Sequence, residues 1–153
     1  MTPEDVAAEE AGHAVACVLL GIDCVGARFE WGLNGILAGG RTLTPNLLDD
    51  LDRDRGRDIL VMLMCGPIMG DRGLPEWPPS RDAYQQDEVH IAIFGDYLGL
   101  NEASWHGLRA AAYRFTCSDE CMNLYTAVMG VFEHTPTIDR SALALAQRIG
   151  GVT

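Results

Sequence analysis

The chain has 153 residues, enough for one domain with a real core and too few to expect two. Its formal net charge of −11 argues against nucleic-acid binding, because a phosphate backbone would be repelled. No apolar run reaches the length of a bilayer span, and Glu4, Asp5, Glu9 and Glu10 are the opposite of a basic signal-peptide start, so a cytoplasmic setting with no membrane partner is expected.

Thr2-Pro3-Glu4-Asp5 opens a helix well. Threonine caps, proline fits the first helical position, and the acids favour the positive end of the helix dipole. The helix is expected to run to about Leu20 and to stop at Gly21. Along it Val6, Glu9/Glu10, His13, Cys17 and Leu20 follow the helical period, so polar groups stand within an otherwise inward-facing stripe. Residues 24–44 then alternate through Val25, Ala27, Phe29 and Trp31, turn at Gly32 to Gly35, and return, which reads as a β-hairpin whose second strand carries Gly39-Gly40.

Thr44-Pro45 repeats the cap-plus-proline helix start, and the charged stretch Asp49 to Asp58 leads into Ile59 to Cys65, apolar all round and hence deeply buried. Gly66-Pro67 is expected to bend or break that helix. Residues 72–86 read as a loop. Asp87 to Leu98 reads as a helix with Val89, His90, Ile93, Phe94 and Tyr97 inward, followed by helices over about 103–116, 119–133 after the cap Ser118, and 139–149 after Thr137 or Asp139. The expected fold is one mainly α domain with one β-hairpin between its first two helices.

Five cysteines show no repeated spacing. Cys17 and Cys65 read as reduced core thiols, whereas Cys117 and Cys121, one turn apart, could share a soft metal but lack a second Cys/His pair. His106 and His134 read as surface or helix-end residues, and Trp31, Trp77 and Trp105 as packing residues, with Trp77 a weaker candidate for lining a groove.

The chemistry concentrates at Glu9-Glu10-Ala11-Gly12-His13, one residue short of the zinc-protease signature His-Glu-x-x-His. In that signature two histidines four apart grip a metal from one helix face, and the glutamate beside the first activates a water. Here Glu9 fills the first ligand position. The bland alternative is a solvated acidic helix face with a histidine that binds nothing.

Glu10-Ala11-Gly12-His13-Ala14-Val15 resembles the start of the peptidase domain of FtsH-like ATP-dependent zinc proteases. The likeness continues in order. Gly39-Gly40-Arg41-Thr42-Leu43-Thr44-Pro45 is similar to the family's Gly-x-Thr-x-x-x-Pro segment, and Cys65-Gly66-Pro67-Ile68-Met69-Gly70-Asp71 stands at the place of Gly-Arg-Ala-Ala-Glu. Asp87-Glu88 follows where the family has Asp-Leu-Glu, and Thr137-Ile138-Asp139 resembles its Thr-Leu-Asp turn. The resemblance implies a zincin-like peptidase domain spanning roughly residues 6–149, without ATPase module or membrane anchor. It implies His13 and Asp87 as metal ligands, Glu10 as general base, zinc as cofactor and a protein or peptide as substrate or partner.

Glu9 departs from the pattern. Positions 9 and 13 share a helix face, so a carboxylate there can still reach an ion. Glu9, His13 and Asp87 would donate two negative charges where the family donates one, making the ion a weaker Lewis acid and favouring harder ions such as manganese or magnesium. With no cation, the crowded acids force one to take up a proton, or Glu9 turns to solvent or to an arginine such as Arg41. His90, one turn after Asp87, is a candidate replacement nitrogen, more simply read as an inner-face histidine. Two functions follow: a metal-dependent peptide hydrolase, or a pseudo-peptidase that binds a partner without cutting it. The expectation is a weakened or lost metal site on a preserved peptidase scaffold.

Overall fold

A computed structural model of the chain describes residues 2–45, 47 and 55–151. The elements run α1 (Pro3–Leu20), β1 (Gly26–Trp31), β2 (Leu37–Leu43), α2 (Gly56–Met69), α3 (Gln86–Tyr97), α4 (Glu102–Thr116), α5 (Asp119–Phe132), β3 (Thr137–Asp139) and α6 (Arg140–Ile149). The fold is mainly helical, and the expected hairpin lies between the first two helices. Among the described residues, no helix is long and apolar enough to cross a membrane.

Helix α1 is the centre of the molecule. Thr2 and Asp5 cap it reciprocally, and Gly21 closes it in the left-handed conformation. Every residue from Glu10 to Cys17 is buried. A helix can be enclosed on all sides only if its side chains leave room, and here alanines at 7, 11, 14 and 16 with Gly12 provide it. One core joins the end of α1 to α2, α3 and α4 around Ile59, Met64, Ile91 and Trp105. The other joins α1 to the sheet, α5 and α6 around Val15, Leu124, Val128 and Ile138.

Helices α1 and α2 cross closely. A Cβ at Gly12 would lie 2.6 Å from the Cys65 carbonyl oxygen, and one at Gly66 would lie 2.1 Å from Nε2 of His13. Both glycines therefore set the contact distance between the helix bearing the motif and its neighbour. Pro67 does not break α2 as expected; the helix continues to Met69. Pro67 stands in the last turns, where one missing backbone donor is outweighed by the burial of the whole segment from Ile59 to Pro67.

Two further expectations are corrected. No helix starts at Thr44-Pro45: strand β2 ends at Leu43, Pro45 lies in a turn, and α2 begins at Gly56. Threonine and proline suit a turn as well as a helix start. Most of the charged stretch from Asp49 lies outside the described residues. Second, Thr137–Asp139 is a strand, not only a turn, completing an antiparallel sheet in the order β2-β1-β3 with Ala27 opposite both Thr42 and Ile138. Three residues are too short for an alternating pattern to show, and Asp139 also caps α6.

On α3 the buried residues are Ile91, Ala92 and Gly95, and Phe94 packs on the core as expected, whereas Ile93 and Tyr97 face outward against expectation. The small Ala92 and Gly95 approach their neighbours more closely than longer apolar residues can. Trp105 is fully buried and packs against Trp77 at 6.1 Å between ring centroids. Trp31 is exposed rather than a packing residue, its ring only tilted against Phe29.

The crossing gives a paired test by chemical denaturation. Gly12→Ala should destabilise the protein by roughly 1–3 kcal/mol, because backbone must move to accept the methyl group. Gly107→Ala on α4, where an added Cβ meets nothing within 4 Å, should instead stabilise it by about 0.5–1 kcal/mol. Equal effects of the two substitutions would show that the close crossing is not the constraint.

Candidate metal centre

The four residues singled out in the sequence converge on one cleft of about 680 Å³. Its walls are α1, the hairpin strand β2, α2, and the start of α3. Helix α1 contributes Glu9, Glu10 and His13, and α3 contributes Asp87 from its first turn. One ligating atom each from Glu9, His13 and Asp87 lie within 4.8 Å of one another. Among the described residues no other cluster of His, Cys, Asp or Glu closes in this way.

His13 is fixed at both ring nitrogens. Nδ1 is 3.0 Å from the carbonyl oxygen of Met62, to which it donates, and Nε2 is 3.2 Å from Oδ2 of Asp87. With the proton of the neutral ring committed to Met62, the Nε2 lone pair is the one presented to the cleft, the tautomer a metal ligand requires. Burial alone would disfavour charge on this ring, but the Asp87 carboxylate and its hydrogen bond, aided by Glu10 and the Met62 carbonyl, raise its pKa to about 9. In the metal-free protein His13 is therefore a cation paired with Asp87. Burial likewise opposes the charge on Asp87, yet His13 holds its carboxyl below the usual range, with Arg72 and His90 acting in the same sense.

Glu10 points beside the trio rather than into it. Its Oε2 accepts from the Thr42 hydroxyl at 2.7 Å, and the same hydroxyl lies 3.3 Å from its backbone oxygen. Its side chain rests on Gly40, where an added Cβ would come within 2.4 Å of Cγ. Burial pushes this carboxyl up, with His13 and the Thr42 hydroxyl working against it.

Glu9 does turn to an arginine, but to Arg72, whose guanidinium pairs with its Oε2 and also donates to Gln85. Arg41 pairs instead with Glu30 at 3.0 Å. Arg72 could not be found from periodicity, because it sits in an irregular turn after α2. Thr42 could have been: it stands in the segment that carries the resemblance, two residues after Gly40. His90 lines the cleft and tilts against Phe94, and it is not one of the converging three. Cys117 is exposed while Cys121 is buried, so this pair does not present a shared site. His106 and His134 lie on the surface as expected, and Trp77 packs on the core away from the cleft.

The donor set fits a divalent cation in type, with one imidazole nitrogen and two carboxylates. Ligands at about 2.1 Å from a tetrahedral ion stand roughly 3.4 Å apart. His13 and Asp87 already meet that spacing, and Glu9 has an oxygen within 4.8 Å of both. No protein family, curated protein or solved structure matches this chain.

The His13–Asp87 pair makes chelator-treated protein pH-sensitive. A folded-state pKa raised from 6.5 to about 9 contributes stability that is present below pH 6.5 and lost as pH rises through about 9. The lowered Asp87 pKa contributes stability above about pH 3.8 that is lost as pH falls through the depressed value. Urea unfolding should therefore show a decline on the order of 3 kcal/mol across the alkaline window. Asp87→Asn should flatten most of that decline; an unchanged slope would mean the pair is not formed.

Proposed function

We propose that this chain is a metal-dependent peptide hydrolase of zincin type, with Glu9, His13 and Asp87 holding a divalent cation. The observation that carries the reading is the convergence of Asp87 on His13 across 74 residues of sequence, beside Glu9 and inside a cleft. Zinc is the expected ion, with manganese or magnesium favoured more than in a two-histidine site because two of three donors are carboxylates. Bound there, such an ion would polarise a peptide carbonyl and acidify a water.

The chain's own residues do the rest. The Met62 carbonyl keeps His13 in the ligating tautomer. Glu10, at the cleft wall and held by Thr42, accepts a proton from the attacking water and returns it to the departing amine nitrogen. Strand β2 lies at the edge of the sheet, and Gly39 to Thr42 line the cleft. An extended peptide can pair with that edge and bring a scissile bond past Glu10. A protein or peptide substrate is thus favoured over a nucleic acid, which the acidity of the chain would repel. Free thiols at all five cysteines suit a reducing, cytoplasmic compartment.

A second reading, a pseudo-peptidase that binds peptides without cutting them, is favoured by one observation: Arg72 already neutralises Glu9. Metal analysis of protein purified without chelator separates the two. The hydrolase reading expects stoichiometric metal that is lost in Glu9→Ala. Glu10→Gln should keep the metal while peptide hydrolysis falls by about 10²-fold or more. Absence of metal, with no change in thermal stability on adding zinc or manganese, would leave the pseudo-peptidase.

A further inference from the structure

Arg72 is attached to the structure in a way that a solvated surface arginine is not. The turn after α2 is anchored by the carbonyl of Pro67, which accepts from the backbone amides of Arg72 at 2.9 Å and Gly73 at 3.2 Å. This fixes the Arg72 backbone beside α1, and the side chain reaches across to Glu9. Its guanidinium bridges two elements, taking Glu9 on α1 and the side chain of Gln85, the residue immediately before α3. Both ligand-bearing helices are therefore joined through one cation. The paired Glu9 carboxylate is only 13% exposed, so the contact is sheltered from the screening that weakens surface pairs.

Each of the two carboxylates already has a nitrogen partner: Arg72 pairs with Glu9, and His13 Nε2 lies 3.2 Å from Asp87. A divalent cation entering this arrangement meets a guanidinium on one of its three ligands. A positive ion beside a retained guanidinium would be repelled in a half-buried site, and a carboxylate oxygen committed to arginine is a poorer donor. Arg72 holds Oε2 of Glu9, so an entering ion and the guanidinium compete for the charge of one carboxylate.

We propose that Arg72 is a resident cation of the metal centre: it occupies Glu9 in the metal-free protein, metal binding exchanges guanidinium for metal, and Arg72 thereby sets metal affinity. This rests on the metal-site reading above and adds the device that regulates it. In the metal-free state the bridge from Glu9 through Arg72 to Gln85 holds α1 and the start of α3 in place, so the cleft stays shaped for the ion. On exchange the freed guanidinium remains tethered at the cleft wall by its anchored backbone.

The test is zinc and manganese titration by calorimetry on chelator-treated wild type, Arg72→Gln and Arg72→Lys. It is combined with thermal unfolding of each metal-free protein and the Arg72 side-chain Nε–H resonance. Removing the competing charge in Arg72→Gln should tighten zinc binding about tenfold or more, equivalent to about 1.4 kcal/mol. The same substitution should lower the thermal stability of the metal-free protein, and Arg72→Lys should bind zinc more like wild type. Zinc should shift the Arg72 Nε–H signal in wild type. Equal zinc affinity in wild type and Arg72→Gln would overturn the exchange while leaving the metal site standing. Weaker binding in Arg72→Gln would overturn it by making Arg72 a support rather than a competitor. No binding in either protein would overturn both readings.

Discussion

The contact between α1 and α2 at Gly12 and Gly66 is the constraint from which the site follows. At that crossing the backbone of α2 comes close enough for the Met62 carbonyl to accept from His13 Nδ1, while the missing side chain of Gly66 leaves the space that the imidazole fills. A larger residue at either position would push the helices apart and withdraw the carbonyl from the ring. His13 would then lose its fixed tautomer, and Nε2 would no longer be aimed at Asp87. The placement of Nε2 is thus set by two glycines at the helix crossing, one adjacent to His13 in sequence and the other against the ring itself. Packing and chemistry are the same interaction here.

Charge imposes the second condition. Glu9, Glu10 and Asp87 line one cleft, and unscreened carboxylates in a half-buried space cannot all remain ionised without partners. The structure answers each differently. Asp87 has protonated His13, Glu9 has Arg72, and Glu10 has a hydroxyl and a pKa raised by burial. Glu9 places a further negative charge beside Asp87, and Arg72 supplies a matching positive one. Glu9 and Arg72 are therefore two halves of one electrostatic solution. Either half alone would leave a buried charge uncompensated.

The parts legible in the sequence were those governed by local rules. Capping at Thr2, the stop at Gly21, the hairpin turn at Gly32 to Gly35 and the caps at Ser118 and Asp139 each depend on a few adjacent residues. Two of the trio share a helix period and were legible from it, whereas Asp87 was reached only through the family resemblance. Thr2 and Ser118 cap their helices as expected, while the cap at Asn101 was not foreseen. What escaped depends on distant geometry. Three-residue β3 acquires its identity only from pairing with β1, and the buried face of α3 is chosen by what packs against it rather than by its own apolar residues. Arg72 belongs to no periodic element, so only the folded turn shows that it reaches Glu9. Arg41 looked equivalent in sequence and is taken by Glu30, its cross-hairpin neighbour.

The last third of the chain bears on the site although none of it enters the cleft. A two-stranded hairpin is marginal by itself, and β2 must sit firmly because Gly40 and Thr42 grip Glu10. Strand β3 pairs with the other edge of β1, the Phe29 amide donates to the Pro136 carbonyl at 2.9 Å, and Phe29 stacks on Phe132 at 5.5 Å. These contacts tie β1 to α5, which itself packs on α1 through the core around Leu124 and Val128. The sheet is thereby held against the same helix that carries Glu9, Glu10 and His13. Glu10 is consequently positioned from two directions: by its own helix, and by a strand whose orientation is fixed through residues more than a hundred positions later in the sequence. A glutamate held only by its helix could rotate away when its carboxyl changes charge. One gripped by Thr42 on a three-stranded sheet stays at the cleft wall in either protonation state.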